Sequence, residues 1–383
     1  MADVDRPSTA SDVHPNMKKS SIARTRVAVV GASLGGLSAA NVLRQLGAQV
    51  EVFEVYPHGF HDRGGALGYV DVPLLRRIRG TATGLHRPIR GHGHFYGDLW
   101  AYLYEGLPQT SVHFDTDVTE VFAAGGETPW LRVGGANREF DLVIGADGGK
   151  STVRRSVTDQ QPSYAGYTVW RGLVPRQGIA GPPSGRRTVG GVTYETLGFP
   201  CAGPQGSGTL WNCGIYMATP ETEVARPMRN RQVAAERPRQ VPGWLVPLAF
   251  ALFGPRNGGF WDACVKFGKV SSHPVWELAA DPIVRGRIAL LGDAAHMASP
   301  RTGAGAYTAM VDAVVLGAAL ERATTLNEAL QLYNDDTVVR GQQLFQRSRA
   351  AAKAFAPAGC RIPSPPQLLQ DLTRQTRLGF SAD

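Results

Sequence analysis

The stretch VAVVGASLGGLSAANVLRQLGAQVEVFE, residues 27–54, decides the fold. Val27–Val30 is an apolar run suited to a buried strand. The chain turns at Gly31, small residues open a helix at Gly35-Gly36, Gly47 ends it, and a second strand runs to Glu54. A strand, helix and strand in so short a span, with glycine in the first turn, form a βαβ unit of the dinucleotide-binding type. Gly31 permits the tight turn and Gly36 lets the helix pack closely on the strand. Backbone N–H groups at the helix start, around Ser33 and Leu34, are placed to bind a pyrophosphate. Ser33 stands where the fingerprint has its middle glycine, and its small side chain still leaves room for phosphates. Glu54 follows Gly31 by 23 positions, where a carboxylate accepts the two hydroxyls of an adenosine ribose. A 2′-phosphate would be repelled there, so the site suits FAD or NAD and not NADP.

Two further strand ends carry glycine and an acid. DLVIGADGGKSTVR, residues 141–154, is an apolar strand that ends in Asp147-Gly148, with Ser151 and Arg154 following at helical spacing. IALLGDAAHMASPRTGAGAYTAMVDA, residues 288–313, is another, ending in Gly292-Asp293 before a loop with Pro300, Gly303, Ala304 and Gly305 and then an alanine-rich helical segment. Three such junctions in one chain are more than coincidence supplies.

Bulk properties set the class. With 383 residues, 43% hydrophobic and 19% charged, the chain is long enough for two domains sharing a core. Its apolar runs are too short and broken to span a bilayer. Residues 1–24 are polar and lack a signal-peptide core, so they read as a disordered extension of a cytoplasmic protein. Cys201, Cys213, Cys264 and Cys360 are widely spaced, which indicates reduced thiols rather than a disulfide framework or a zinc site. The net charge of +8 is scattered and not striped, favouring anionic small molecules over nucleic acid as partners. His86, His92 and His94 lack acid partners and read as a loop, not a metal site.

The three junctions, in this order, resemble those of the single-component flavoprotein aromatic hydroxylases with the p-hydroxybenzoate hydroxylase fold. SYAGYTVWRG (163–172) and WNCGIY (211–216) are most similar to the 2,6-dihydroxypyridine hydroxylase branch. The resemblance covers about residues 25–330. It implies an α/β Rossmann-like FAD domain with an inserted antiparallel-sheet substrate domain. It also implies one non-covalent FAD, held by the first glycine motif, by a DG motif at Asp147-Gly148 and by a GD motif at Gly292-Asp293. The activity implied is insertion of one oxygen atom from O2 into a hydroxylated aromatic or heteroaromatic ring, with NADH or NADPH as co-substrate, through a flavin C4a-hydroperoxide. The loop Pro300–Gly305 then lies beside the reacting edge. The chain departs from the family where an Arg-x-x-Leu flavin contact is usual: it reads Tyr96-Gly97-Asp98-Leu99.

On this reading the FAD domain is discontinuous, 25–68, 95–160 and 280–345. The substrate domain takes 69–94 and 161–279, where aromatic-rich alternation suggests an antiparallel sheet. Residues 326–355 have helical periodicity, 346–383 form a C-terminal helix and tail, and the Pro-rich part after Arg361 reads as loose wrapping. Candidates for a base that ionises a substrate hydroxyl are Tyr194, Tyr216 and His296, the last more suited to packing near the flavin. Arg171 is a candidate cation for an anionic substrate. Two other readings stay open: a nicotinamide dehydrogenase using the N-terminal site, and a non-redox or cyclising enzyme that reuses the FAD fold as scaffold. Oligomeric state is open as well.

Overall fold

The computed structural model describes residues 22–61, 65–67, 70, 72–81, 83–85, 93–123, 128–176, 179, 181–224, 241–355 and 359–377. The expected N-terminal extension, apart from residues 22–24, lies outside the described residues, as do His86 and His92.

Among the described residues the first sheet has six strands, in the spatial order Val284–Arg285, Ile288–Leu290, Leu142–Gly145, Arg26–Val30, Gln49–Phe53 and Val112–His113. All pair in parallel except the hairpin of the first two. Its central strands are apolar throughout because both faces are covered: Val27, Ala28, Val29, Leu142, Val143 and Ile144 are fully buried. The helices Leu34–Gln45 and Gly305–Arg322 pack against one another beside this sheet. From Arg26–Val30 the chain goes first to the strand on one side and later returns to Leu142–Gly145 on the other. The strand order therefore reverses at Arg26–Val30, and ligands of such sheets bind in the crevice at the carboxyl ends beside that switch point.

The second sheet, again six strands among the described residues, is antiparallel in the order Ser184–Val189, Val192–Ala202, Thr209–Ala218, Ser163–Pro175, Lys269–Ala279 and His296–Met297. Its last strand belongs to the loop that leaves the first sheet, so the two sheets are joined through the GD segment itself. One face packs on the helix Leu245–Phe267, the other on the end of the helix Leu326–Phe355.

Three features differ from the reading by sequence. The helix Val72–Arg79, expected on the substrate side, buries Leu74, Leu75 and Ile78 in the core of the first sheet, because its apolar residues fall at helical spacing toward Leu34–Gln45. Leu245–Phe267 is a helix inside the region read as sheet, kinked at Gly254-Pro255, with Gly254 at φ +79. The tail after Arg361 is not loose: Pro365–Arg377 is a helix that buries Leu368 and Leu372 in the second core. Proline is harmless in a first helical turn, where its missing N–H has no partner to lose. Ser364 supplies the start, its N–H donating to Gln367 Oε1 at 3.2 Å and its carbonyl accepting from Leu368.

Candidate active site

The three glycine-acid junctions come together. Val30, Gly145 and Leu290 lie in one row across adjacent parallel strands, so the loops that follow them open side by side on the carboxyl edge. Close approach makes glycine obligatory at two positions. Gly31, at φ +103, lies so near the next loop that a Cβ would sit 2.4 Å from the Ala146 carbonyl oxygen, and a Cβ on Gly36 would sit 1.9 Å from that of Gly31. Gly148 and Gly292 hold φ +75 and +58, the left-handed region that glycine adopts without strain.

Side chains then set the shape of the crevice. Glu54, almost fully buried, uses Oε2 to accept from Ala32 N–H at 2.7 Å and Oε1 to accept from Tyr56 N–H at 3.0 Å. It fixes the first loop as well as presenting a carboxylate at the end of the second strand. Ser33 begins the helix Leu34–Gln45 without capping it; its Oγ shares a 2.7 Å hydrogen bond with Tyr96 Oη. Tyr96, at the position where the family has arginine, is therefore tied to the glycine loop. Trp100 Nε1 donates to the Ala32 carbonyl at 2.7 Å, from a ring stacked on Tyr104.

Asp147 accepts from Thr152 N–H at 2.6 Å through Oδ2, while its Oδ1 is buried without a hydrogen-bond partner. Burial pushes this carboxyl above its usual range against the opposing hydrogen bonds from Ser151 and Thr152. Arg154, buried, clamps two of the loops: Nη1 donates to the Ala294 carbonyl at 3.1 Å and Nη2 to that of Gly149 at 2.6 Å. Burial lowers its pKa, opposed by the charges of Asp147 and Asp293. Asp293 is exposed in the short turn Gly292–Ala294, at the mouth of the same crevice.

Behind the GD loop sits a charge cluster that sequence reading missed. Asp312, wholly buried, accepts from Gly292 N–H at 2.9 Å through Oδ2; the same oxygen lies 2.6 Å from His296 Nε2, and Oδ1 accepts from Arg340 at 3.0 Å. Burial alone would lower His296, but the Asp312 carboxylate overrides it and holds the imidazole above its ordinary value; Asp312 is held below its own despite burial. His296 is thus a strut of the loop and not a base: at 3% exposure it has no face for a substrate. Beyond it, Ser299 accepts from Arg301 N–H at 3.0 Å, and its own N–H donates to Ser348 Oγ at 2.6 Å. Ser299 Oγ also hydrogen-bonds Tyr167 Oη, and Ser348 Oγ donates to the buried Glu277. The turn Pro300–Thr302 is pinned to both the second sheet and the long helix. Gly303, at φ +63, closes it, Ala304 begins the next helix and Gly305 is its first residue.

Register places Glu195 beside Tyr216, Tyr216 beside Val169, and Gly214 between Leu197 and Arg171, so these residues share one sheet face. Arg171 is half-buried, and the segment of Gly65 flanks it: a Cβ there would lie 3.7 Å from its Nη2. Tyr216 stacks on Phe355 with ring centroids 5.7 Å apart, and burial pushes its hydroxyl pKa up against the opposing charges of Arg171 and Arg301. Tyr194 points to the other face, fully buried in the second core, with its hydroxyl pushed up to about 12 by burial. One residue along a strand reverses the face, which removes Tyr194 from the set of candidate bases. His94 is buried on the strand His94–Phe95, and burial lowers its pKa.

A dinucleotide carrying a large ring system fits these residues. The crevice offers glycine backbone at two closely apposed loops, and Asp147 Oδ1, Thr152 Oγ1 and Arg154 Nε are buried there without hydrogen-bond partners. Residues 259–348 match the family model of the FAD binding domain. The chain is 27% identical to a FAD-dependent urate hydroxylase of Klebsiella pneumoniae, over 84% of this chain and 88% of that one. It is 25% identical to a 2,6-dihydroxypyridine 3-monooxygenase of Paenarthrobacter nicotinovorans, over 89% and 94%. Over most of its length the chain is similar to single-component FAD-dependent monooxygenases. Its fold agrees: the solved 2,6-dihydroxypyridine-3-hydroxylase from Arthrobacter nicotinovorans superposes with a TM-score of 0.72 at 22% identity, covering 91% of this chain and 97% of that one. A Klebsiella pneumoniae protein, HpxO, solved with FAD and uric acid gives 0.66, also at 22%, over 93% and 95%. Among the described residues no helix is long and apolar enough to cross a membrane.

Proposed function

We propose that the chain hydroxylates a small, planar, hydroxylated aromatic or N-heteroaromatic ring, using NADH or NADPH and O2. The observation that carries this reading is the meeting of the three glycine-acid loops with the pinned turn Pro300–Gly303, opposite a sheet face that carries Arg171 and Tyr216. Bound FAD supplies reductive activation of O2; the remaining tasks fall on the chain. Gly31, Ser33, Leu34 and Gly36 receive the pyrophosphate, Glu54 the adenosine ribose, and Asp293 the ribityl side. Asp147 and Gly148 form the adjoining wall. Pro300, Gly303, Ala304 and Gly305 line the reacting edge, where a fixed backbone directs N–H groups at developing charge. Arg171 holds the substrate as an anion, which raises the electron density of the ring to be attacked. Tyr216 orients it by hydrogen bonding; a hydroxyl whose pKa is raised by burial stays protonated near neutral pH.

Relatives support the substrate class, since their names specify urate, dihydroxypyridine and 6-hydroxynicotinate. The test is incubation under isotopically labelled O2 with hydroxypyridines, phenols and larger polycyclic phenols. One labelled atom in a ring product is expected, with substrate-stimulated NAD(P)H oxidation. Label confined to water and hydrogen peroxide, with every ring unchanged, overturns the reading. The flavin is held without a covalent bond, so denaturation releases it entirely into the supernatant; colour left in the pellet would contradict this.

A further inference from the structure

Arg301 and Glu195 form a pair that sequence reading did not single out. Arg301 is the second residue of the turn Pro300–Thr302, whose backbone is held by Ser299. Its guanidinium lies over two aromatic rings, 5.4 Å from the centroid of Tyr216 and 5.8 Å from that of Phe355. Those contacts orient a planar cation. Its Nη1 comes within 3.2 Å of Glu195 Oε2, with the two side chains 31% and 16% exposed. That approach is a charge contact without hydrogen-bond geometry: Glu195 Oε2 is buried and has no hydrogen-bond donor. Oε2 has no accessible surface, so a ligand meets the carboxylate through its other oxygen, on a side chain that keeps 16% exposure.

The pair therefore presents a fixed donor and an underused acceptor side by side. Both stand at the edge of the sheet face that carries Tyr216 and Arg171, next to the turn that lines the reacting edge. A hydroxylated N-heteroaromatic in its lactam form offers the complementary edge, a ring N–H beside a C–O that accepts. A carbocyclic phenol offers C–H in place of the N–H and leaves the carboxylate oxygen unmatched, next to a hydroxyl whose ionised form Glu195 repels. Discrimination of this kind, by leaving a buried polar group unpaired, is stronger than any that shape provides.

We propose that Arg301 and Glu195 are specificity-determining residues that read the N–H/C–O edge of an N-heteroaromatic substrate, selecting it over its carbocyclic counterpart. The inference rests on the hydroxylase reading for the place of the substrate. Its test is direct binding to the FAD-loaded protein, followed by the change in flavin absorbance, with 2,6-dihydroxypyridine and with resorcinol, the same ring lacking the nitrogen. The pyridine is expected to bind at least about tenfold more tightly, as one hydrogen bond to a charged group implies. Glu195→Leu should reduce that preference to within about threefold, whereas Glu195→Gln, which keeps an accepting oxygen, should retain most of it. Arg301→Leu should weaken both rings by about tenfold or more. Equal binding of the two rings by the unaltered protein, binding of neither, or a full preference surviving in Glu195→Leu overturns the inference. Labelled-oxygen incorporation run in parallel separates the two readings. Preferential binding without any labelled ring sinks the hydroxylase reading alone; labelled rings with equal binding sink this one alone.

Discussion

At the carboxyl edge of the parallel sheet the groups proposed to meet the cofactor are mostly backbone: Gly31 and Gly36 admit close approach, and Gly148 and Gly292 hold left-handed turns. On the face of the antiparallel sheet toward the helix Leu326–Phe355 the proposed groups are side chains: Arg171, Glu195 and Tyr216, with Arg301 reaching over from the turn. Backbone N–H groups in tight loops recognise what every FAD carries, its phosphates and hydroxyls, and they tolerate no change of residue because the constraint is steric. Side chains on a pleated face are exchangeable without moving the strand. On the proposed reading the first region holds the cofactor, and the second presents the substrate with side chains that can change without moving the strands. Between them lies the Asp312 cluster, which touches neither ligand surface but anchors the GD loop to the helices behind it.

The contrast predicts where substitutions strike hardest. Asp312→Ala removes the carboxylate that three donors share and leaves the buried His296 without its counter-charge, while Arg340 keeps only Asp336, at a cost of about 3–5 kcal/mol. Urea unfolding of the holoprotein should show it, with FAD content falling in parallel. Unchanged stability would mean that the GD loop is held by its strands alone. Next in size, Asp293→Ala should weaken FAD by about ten- to hundredfold, the 1.5–3 kcal/mol of a hydrogen bond to a charged group, while thermal unfolding of the apoprotein stays near the unaltered value. Wild-type affinity in that variant would show that the carboxylate points away from the cofactor.

A smaller effect belongs to pH. His296 is held above its ordinary value of 6.5, so its contribution to stability is complete below that value and is lost as pH rises through the folded-state value. Asp312, held below its ordinary 3.8, contributes above that value and loses its contribution as pH falls through the folded one. Stability should decline at both ends, and His296→Gln should flatten the alkaline limb and also weaken the acid limb, because the His296 charge is the largest of the effects that lower Asp312. An unaltered alkaline limb in His296→Gln would assign the loss to another group. Smallest of all is Tyr216→Phe. If the hydroxyl orients substrate and does not ionise, kcat should fall by less than about tenfold, or 1.4 kcal/mol, with no new inflection in the pH profile. A loss of several hundredfold with a vanished inflection would make Tyr216 the base.

Much of the first region was legible in the primary structure. Glycine spacing, strand-ending acids and the interval from Gly31 to Glu54 are local patterns, and locality is what a linear sequence records. Less of the second region was legible, since Glu195 and Arg301 stand 106 positions apart and meet only because the last strand of the second sheet leaves the first. Tyr194 and Tyr216 look equivalent in sequence, yet pleat parity sends one toward the helix Leu245–Phe267 and the other to the opposite face, beside Phe355 and Arg301. His296 carries no mark of its partner, because Asp312 comes into reach through a helix that folds back over the loop. By itself, then, the sequence determined the dinucleotide-type core, the antiparallel layer and the cofactor class, all of which depend on short-range period and steric demand. The tertiary structure alone decided which titratable groups are struts and which lie on the sheet face beside the turn Pro300–Thr302, because burial and charge pairing arise only where distant segments are packed together.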